Sequence, residues 1–155
     1  MAEIEIEFEV LADVAEDVLA LLETAVTRTL QHQLSQPQGT LTCLLTDDAA
    51  IQELNRNFRH EDKPTDVLSF PAGDAMPGMD AVYLGDIAIS VPYAQRQAAA
   101  AGHTLAEELQ LLVIHGVLHL LGHDHTTPLE KEEMWAAQTA VLTQLGLAHV
   151  TPTES

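Results

Sequence analysis

The sequence predicts an α+β fold in a single domain, with a mixed sheet of about four strands, about five helices, and one helix buried at the centre. Three observations predict it. Residues 3–10 alternate acid with hydrocarbon, the period-two signature of a strand wetted on one face. Strand-like and helix-like stretches then follow one another without the regular alternation of a doubly wound parallel sheet. Finally, the segment from 105 to 121 carries Leu109, Leu112, Val113, Ile114, Val117, Leu118, Leu120 and Leu121, so it is apolar on nearly every side and must lie inside the molecule. A chain of 155 residues, 46% of them hydrophobic, is the size at which one core suffices.

The elements follow in order. Ile4, Ile6, Phe8 and Val10 face one way and Glu3, Glu5, Glu7 and Glu9 the other, which suits an edge or solvent-facing strand. Asp13 opens a stretch with Val14, Val18, Leu21, Leu22, Ala25 and Leu30 at helical spacing, closed by Pro37 and Gly39. Leu41 to Thr46 is a second strand. Asp47 or Asp48 caps a helix with the pattern Ile51, Leu54, Phe58. Val67 to Phe70 makes a short strand between Pro64 and Pro71, and AGDAMPGMD after it is loop composition. Tyr83 to Val91 is a strand with Gly85 inside it, where a bulge or a close approach is expected. Pro92 begins a helix that ends at Gly102. Thr104 and Glu107 form a capping box for the central helix, and Thr127, Pro128 and Glu130 start a last helix that Gly146 ends.

Several functions are excluded or disfavoured by composition. The longest apolar stretch, Leu109 to Leu121, is interrupted by Gln110, His115 and His119, and falls short of the roughly 20 clean residues of a bilayer span. The N-terminus lacks the basic patch and apolar block of a secretory signal, so a cytoplasmic protein is expected. Cys43 stands alone among leucines and reads as a packing residue. The formal charge of −18 opposes nonspecific coating of nucleic acid. Arg56, Arg59 and Lys63, half of the six basic residues, fall within eight positions; a solvated helix end would account for Arg56 and Lys63.

A buried helix leaves its polar side chains no solvent, so His115 and His119 need partners. Four residues apart, their imidazoles project side by side at a distance one ion can bridge. Gly122 lets the chain turn back, bringing His125 within reach of the same ion. The spacing H-x3-H-x2-G-x2-H is that of the metzincin proteases, but Gly116 stands where those enzymes carry a general-base glutamate. Three neutral imidazoles with an open fourth position describe a catalytic zinc site, although another divalent transition metal would also be accepted. Asp124 is expected to accept from a ligand imidazole, or else to cap the turn. His32, His60, His103 and His149 show no such pattern and read as surface or capping residues.

The string HGVLHLLGHDH, preceded by LNRNFRHEDKPTDVLSFP and by LGDIAIS, resembles the YbeY family of bacterial endoribonucleases, also called rRNA maturation factors. The likeness runs from about Leu54 to about Trp135, with the three blocks in the same order and spacing. It implies a metal-dependent, single-strand-specific endoribonuclease acting in ribosomal RNA processing, notably at the 3′ end of the small-subunit RNA, and in ribosome quality control. It implies single-stranded RNA and the ribosome or its small subunit as partners, with no membrane and no DNA. On this resemblance His115, His119 and His125 fall on the family's metal ligands and Arg59 on its invariant arginine.

A guanidinium beside a metal stabilises charge gathering on an attacked phosphate, and Arg59 fits that role. Lys63 and Arg56 would help to hold the strand. Ser69 and Asp86 are placed to line the cleft, Asp86 more as a structural acceptor than as a base. Two other classes stay open at this point. A metallopeptidase could use the same ion, with Asp124 or Glu108 in place of the missing glutamate. A ribosome assembly module could hold a purely structural metal, with Asp124 as fourth ligand.

Overall fold

The computed structural model describes residues 4–35, 37–72 and 83–150. The Gly- and Pro-rich loop expected at 72–80 falls almost wholly outside them. Among the described residues four strands form one sheet in the order β1-β2-β4-β3. β1 (Ile4–Val10), β2 (Gly39–Thr46) and β4 (Tyr83–Ser90) run parallel, and β3 (Val67–Pro71) lies antiparallel to β4 at the far edge. The sheet is mixed, as expected. β1 is an edge strand, with its glutamates in solvent and Ile4, Ile6 and Phe8 half-buried.

Among the described residues five helices cover the sheet: α1 (Glu16–Gln33), α2 (Asp48–Arg59), α3 (Val91–Ala101), α4 (Leu105–Leu120) and α5 (Pro128–Gln144). Leu41, Cys43, Leu45, Ile87 and Ile89 point from the sheet into the main core with α1, α4 and α5. The alternate residues Leu44, Leu68, Phe70 and Ala88 meet Ile51 and Leu54 of α2 on the opposite face. The period-two pattern of the strands therefore sorts helices to the two faces. Cys43 is fully buried, and burial pushes its thiol up to about 12, so it stays protonated and inert.

The caps follow the sequence closely. Asp47 accepts from the Ala50 amide at 3.0 Å. Thr104 and Glu107 close a reciprocal capping box on α4. At α5 only half of the expected box forms, because Thr127 accepts from the Glu130 amide while the Glu130 carboxylate takes the Thr126 hydroxyl. α1 differs more: its N-cap is Ala15, without a side-chain hydrogen bond, and Asp13 lies before the helix. Packing of Leu22, Ala25, Val26 and Leu30 holds α1 in place of a cap.

Two glycines let α4 press against the sheet. A Cβ on Gly85, whose φ is +138°, would stand 2.4 Å from the Phe70 carbonyl oxygen and 2.9 Å from Leu120. The pairing of β2 with β4 shifts register beside it, so both the bulge and the close approach are present. A Cβ on Gly116 would meet the Ile87 side chain at 3.0 to 3.2 Å. Among the described residues no helix is long and apolar enough to cross a membrane.

Candidate metal centre and cleft

α4 is buried along almost its whole length from Glu108 to Leu120, and His115 and His119, the two residues in that span that are only partly buried, open onto a cleft. The chain leaves the helix through Leu121 and turns at Gly122, whose φ of +101° falls in the left-handed region that glycine enters without a Cβ penalty. That turn carries His125 back over the two helical rings. Ring centroids lie 4.6 Å apart for His115 and His119, 5.6 Å for His115 and His125, and 5.4 Å for His119 and His125.

One nitrogen of each ring lies within 4.8 Å of the others. The Nε2 atoms of His115 and His119 are 3.1 Å apart. A tetrahedral ion bound at 2.0–2.1 Å separates its nitrogen ligands by about 3.3 Å, so the helical pair already has the spacing required. His125 is exposed and sits on a loop, free to close the rest. Burial lowers the basicity of His115, and burial together with the two neighbouring rings lowers His119 to about 4. Both are therefore neutral at physiological pH, the form in which imidazole ligates a metal. The donor set fits a divalent transition ion.

The surroundings orient these rings. Nδ1–H of His115 donates to Oε1 of Gln138 at 2.6 Å, which leaves the Nε2 lone pair facing the centre. Gln138 is fully buried on α5, amid the apolar stripe Met134, Ala137, Val141 and Leu142. Sequence reading passed it over, although a glutamine inside such a stripe is a signal that something polar faces it. Trp135 packs edge-on against His115 and His125, at 6.0 and 5.6 Å between centroids, with the Lys131 ammonium 5.5 Å from its ring centre. Ser69 donates from Oγ to the Gly116 carbonyl at 3.2 Å, tying β3 to the ligand-bearing helix.

Position 116 faces the sheet and not the cleft. The glutamate of the protease motif would have to displace Ile87 of β4, so the peptidase reading lacks that motif's base and the room for one at this position. Asp124 turns out to hold the turn, because its carboxylate accepts the His125 amide at 2.8 Å, and it is not bonded to a ligand imidazole. His123 reaches back to Gln33 of α1 at 2.7 Å and anchors the same loop. Among the described residues the cluster consists of three histidines, without a fourth protein ligand.

The cleft, about 1020 Å³, runs from this cluster to the C-terminal end of α2. Arg59, Lys63 and Ser69 line it, whereas Arg56 and Asp86 do not. Asp86 lies on the other face of the sheet and accepts from the Tyr83 hydroxyl, which corrects its expected place at the cleft. The loop after Arg59 is firmly held: His60 takes the left-handed conformation at φ 59°, and buried Asn55 donates to the Lys63 carbonyl at 2.9 Å. His103 also departs from expectation. Its side chain is 4% exposed and lies 2.7 Å from Glu108, a contact between α4 and the turn before it that the exposed look of the GHT sequence conceals.

Charge in the cleft differs from that of the whole chain. Of six basic residues three, Arg59, Lys63 and Lys131, line it, against four of the 24 acids: Glu61, Asp66, Glu108 and Asp124. Among the described residues the other acids lie outside the cleft, and a divalent ion on the histidines would make the balance of these lining charges positive.

A family model described as Endoribonuclease YbeY matches residues 3–146. Curated proteins named Endoribonuclease YbeY include one from Moorella thermoacetica, 44% identical over 142 residues, covering 86% of this chain and 90% of that protein. Another, from Roseiflexus castenholzii, is 43% identical over 153 residues and covers 95% of this chain and 96% of its own. Among solved structures, the solution structure of a Thermotoga maritima protein shares the fold, with a TM-score of 0.60 at 24% identity over 97% of this chain and 99% of that one. With the family model spanning nearly all of the chain and relatives this similar along nine-tenths or more of their length, the chain belongs to the YbeY family.

Proposed function

We propose that residues 1–155 form one endoribonuclease domain that uses a divalent metal, zinc foremost, to cut single-stranded RNA. Its place is in the cytoplasm, in ribosomal RNA processing at the 3′ end of the small-subunit RNA and in ribosome quality control, with the ribosome as partner. One observation carries the reading: three imidazoles converge at one end of a cleft whose other end presents Arg59 and Lys63, in a chain of a family named for endoribonuclease activity.

His115, His119 and His125 would hold the ion, and when bound it supplies Lewis acidity and positive charge at the attacked phosphate. Arg59 has two parallel N–H donors for the nonbridging oxygens, on which charge grows during attack. Lys63 adds a point charge further along the strand. Gln138 keeps His115 in the ligating tautomer, and Trp135 shields the cluster from water on the α5 side. The acidic exterior leaves the cleft as the place where a polyanion is tolerated, so binding of isolated RNA is weak and releases few counterions.

The test is cleavage of an end-labelled single-stranded RNA by metal-loaded protein beside His119→Ala, with a peptide as control substrate. Cutting of RNA by the native protein alone, with the peptide intact, is expected. RNA cutting that persists in a folded His119→Ala protein, or cleavage of the peptide only, would overturn the proposal.

A further inference from the structure

We propose that Phe58 is a base-stacking platform at the rim of the cleft, taking one unpaired nucleobase of the strand whose phosphates meet Arg59. This rests on the ribonuclease reading and adds a subsite to it. Phe58 is 64% exposed, beyond the part of α2 that meets the sheet through Ile51 and Leu54. Among the described residues its one ring contact is an edge-to-face one with Phe70, at 5.4 Å between centroids and 65° between planes. The ring is thus held from one side by an edge-to-face contact while most of its surface remains in solvent.

Its neighbours place it beside the cleft. Asn55 and Arg59 on the same helix line the cavity, while Phe70 belongs to the face of the sheet that carries α2, so Phe58 stands just outside the cavity wall at the C-terminal end of α2. A strand leaving the histidine cluster past Arg59 would cross the end of α2 at Phe58. Arg56, Arg59 and Lys63 lie within five positions of it in a chain of net charge −18, and Arg59 and Lys63 line the cleft, so this rim combines basic side chains with an open aromatic face, the pairing that single-stranded nucleic acid sites use. Tyr83, 40% exposed, lacks that setting: its hydroxyl is bonded to Asp86 and Thr42, with Glu7 nearby, and phosphate would be repelled there.

Stacking tolerates any base but requires one. The experiment therefore measures binding of metal-loaded protein to a short single-stranded RNA of mixed sequence and to the same backbone with abasic riboses, by fluorescence anisotropy. The native protein is expected to prefer the base-bearing strand by roughly five- to twentyfold. Phe58→Leu, checked for folding by thermal melting, should lose most of that preference with its affinity for the abasic strand unchanged. Phe58→Tyr should keep the preference and controls for loss of fold. A preference that survives Phe58→Leu overturns the platform, as does native protein that cuts RNA but binds both strands alike. Native protein that neither binds nor cuts RNA overturns the ribonuclease reading, and the platform with it.

Discussion

Replacing Gln138 by methionine tests whether the metal centre depends on a residue outside the histidine string. The amide oxygen of Gln138 accepts from Nδ1 of His115 at 2.6 Å, and its own NH2 group is buried without a partner. Methionine of similar volume removes the acceptor, leaving a buried N–H unsatisfied at a cost of about 1–3 kcal/mol, but it also removes the orphaned NH2, whose desolvation is of the same order. The two offset, so folding stability should change by about 1 kcal/mol or less. Metal affinity has no such compensation. Without the acceptor both tautomers of His115 are populated and its ring is no longer fixed, and losses of this kind run to 10–100-fold, or about 1.4–2.7 kcal/mol. Competition for zinc against a chromophoric chelator would measure it. Gln138→Glu, whose carboxylate accepts the same proton, should retain or tighten binding. A methionine variant that binds zinc within twofold of the native protein would refute the assigned role.

Gly116→Glu, which restores the protease-like string, should confer no peptidase activity and should lower stability by about 3 kcal/mol or more, since a carboxylate would be driven into Ile87; a thermal melt and a peptide assay check both. Arg59→Lys keeps the charge but loses the planar pair of donors, so RNA cleavage should fall by about 10²-fold while zinc content, measured by elemental analysis, stays unchanged. The metal-free protein should lose stability as pH falls. His119 is lowered to about 4 in the fold, below the ordinary histidine value of about 6.5 in the unfolded chain. The unfolded state therefore takes up a proton first, and stability present above pH 6.5 is lost progressively down to about pH 4, by about 1–2 kcal/mol once solvent screening is discounted. Urea titrations at pH 7 and pH 4.5 read the difference; equal stabilities would contradict it.

What the sequence determined by itself is whatever is set over one or two turns of chain. The alternation of β1, the capping box at Thr104, the glycine stop at Gly102 and the i, i+4 pairing of His115 with His119 all follow from backbone geometry within a few residues. The turn at Gly122 extends this to His125, so the metal cluster was legible because all three histidines lie within eleven positions of one another. Contacts between distant segments were not legible. Only tertiary packing decided that Gln138, 23 residues on, would orient His115. The same holds for Ser69 binding the Gly116 carbonyl from 47 residues away. Asp86 was misplaced for a related reason: alternation shows that successive strand residues face opposite sides, but not which side will carry α4 and which α2. Likewise His103 looks like a surface residue until α4 folds Glu108 against it. Local patterns are fixed by bond geometry and survive in any context, whereas a side chain's partner is set by which elements bury each other's apolar faces, and that is a property of the whole chain.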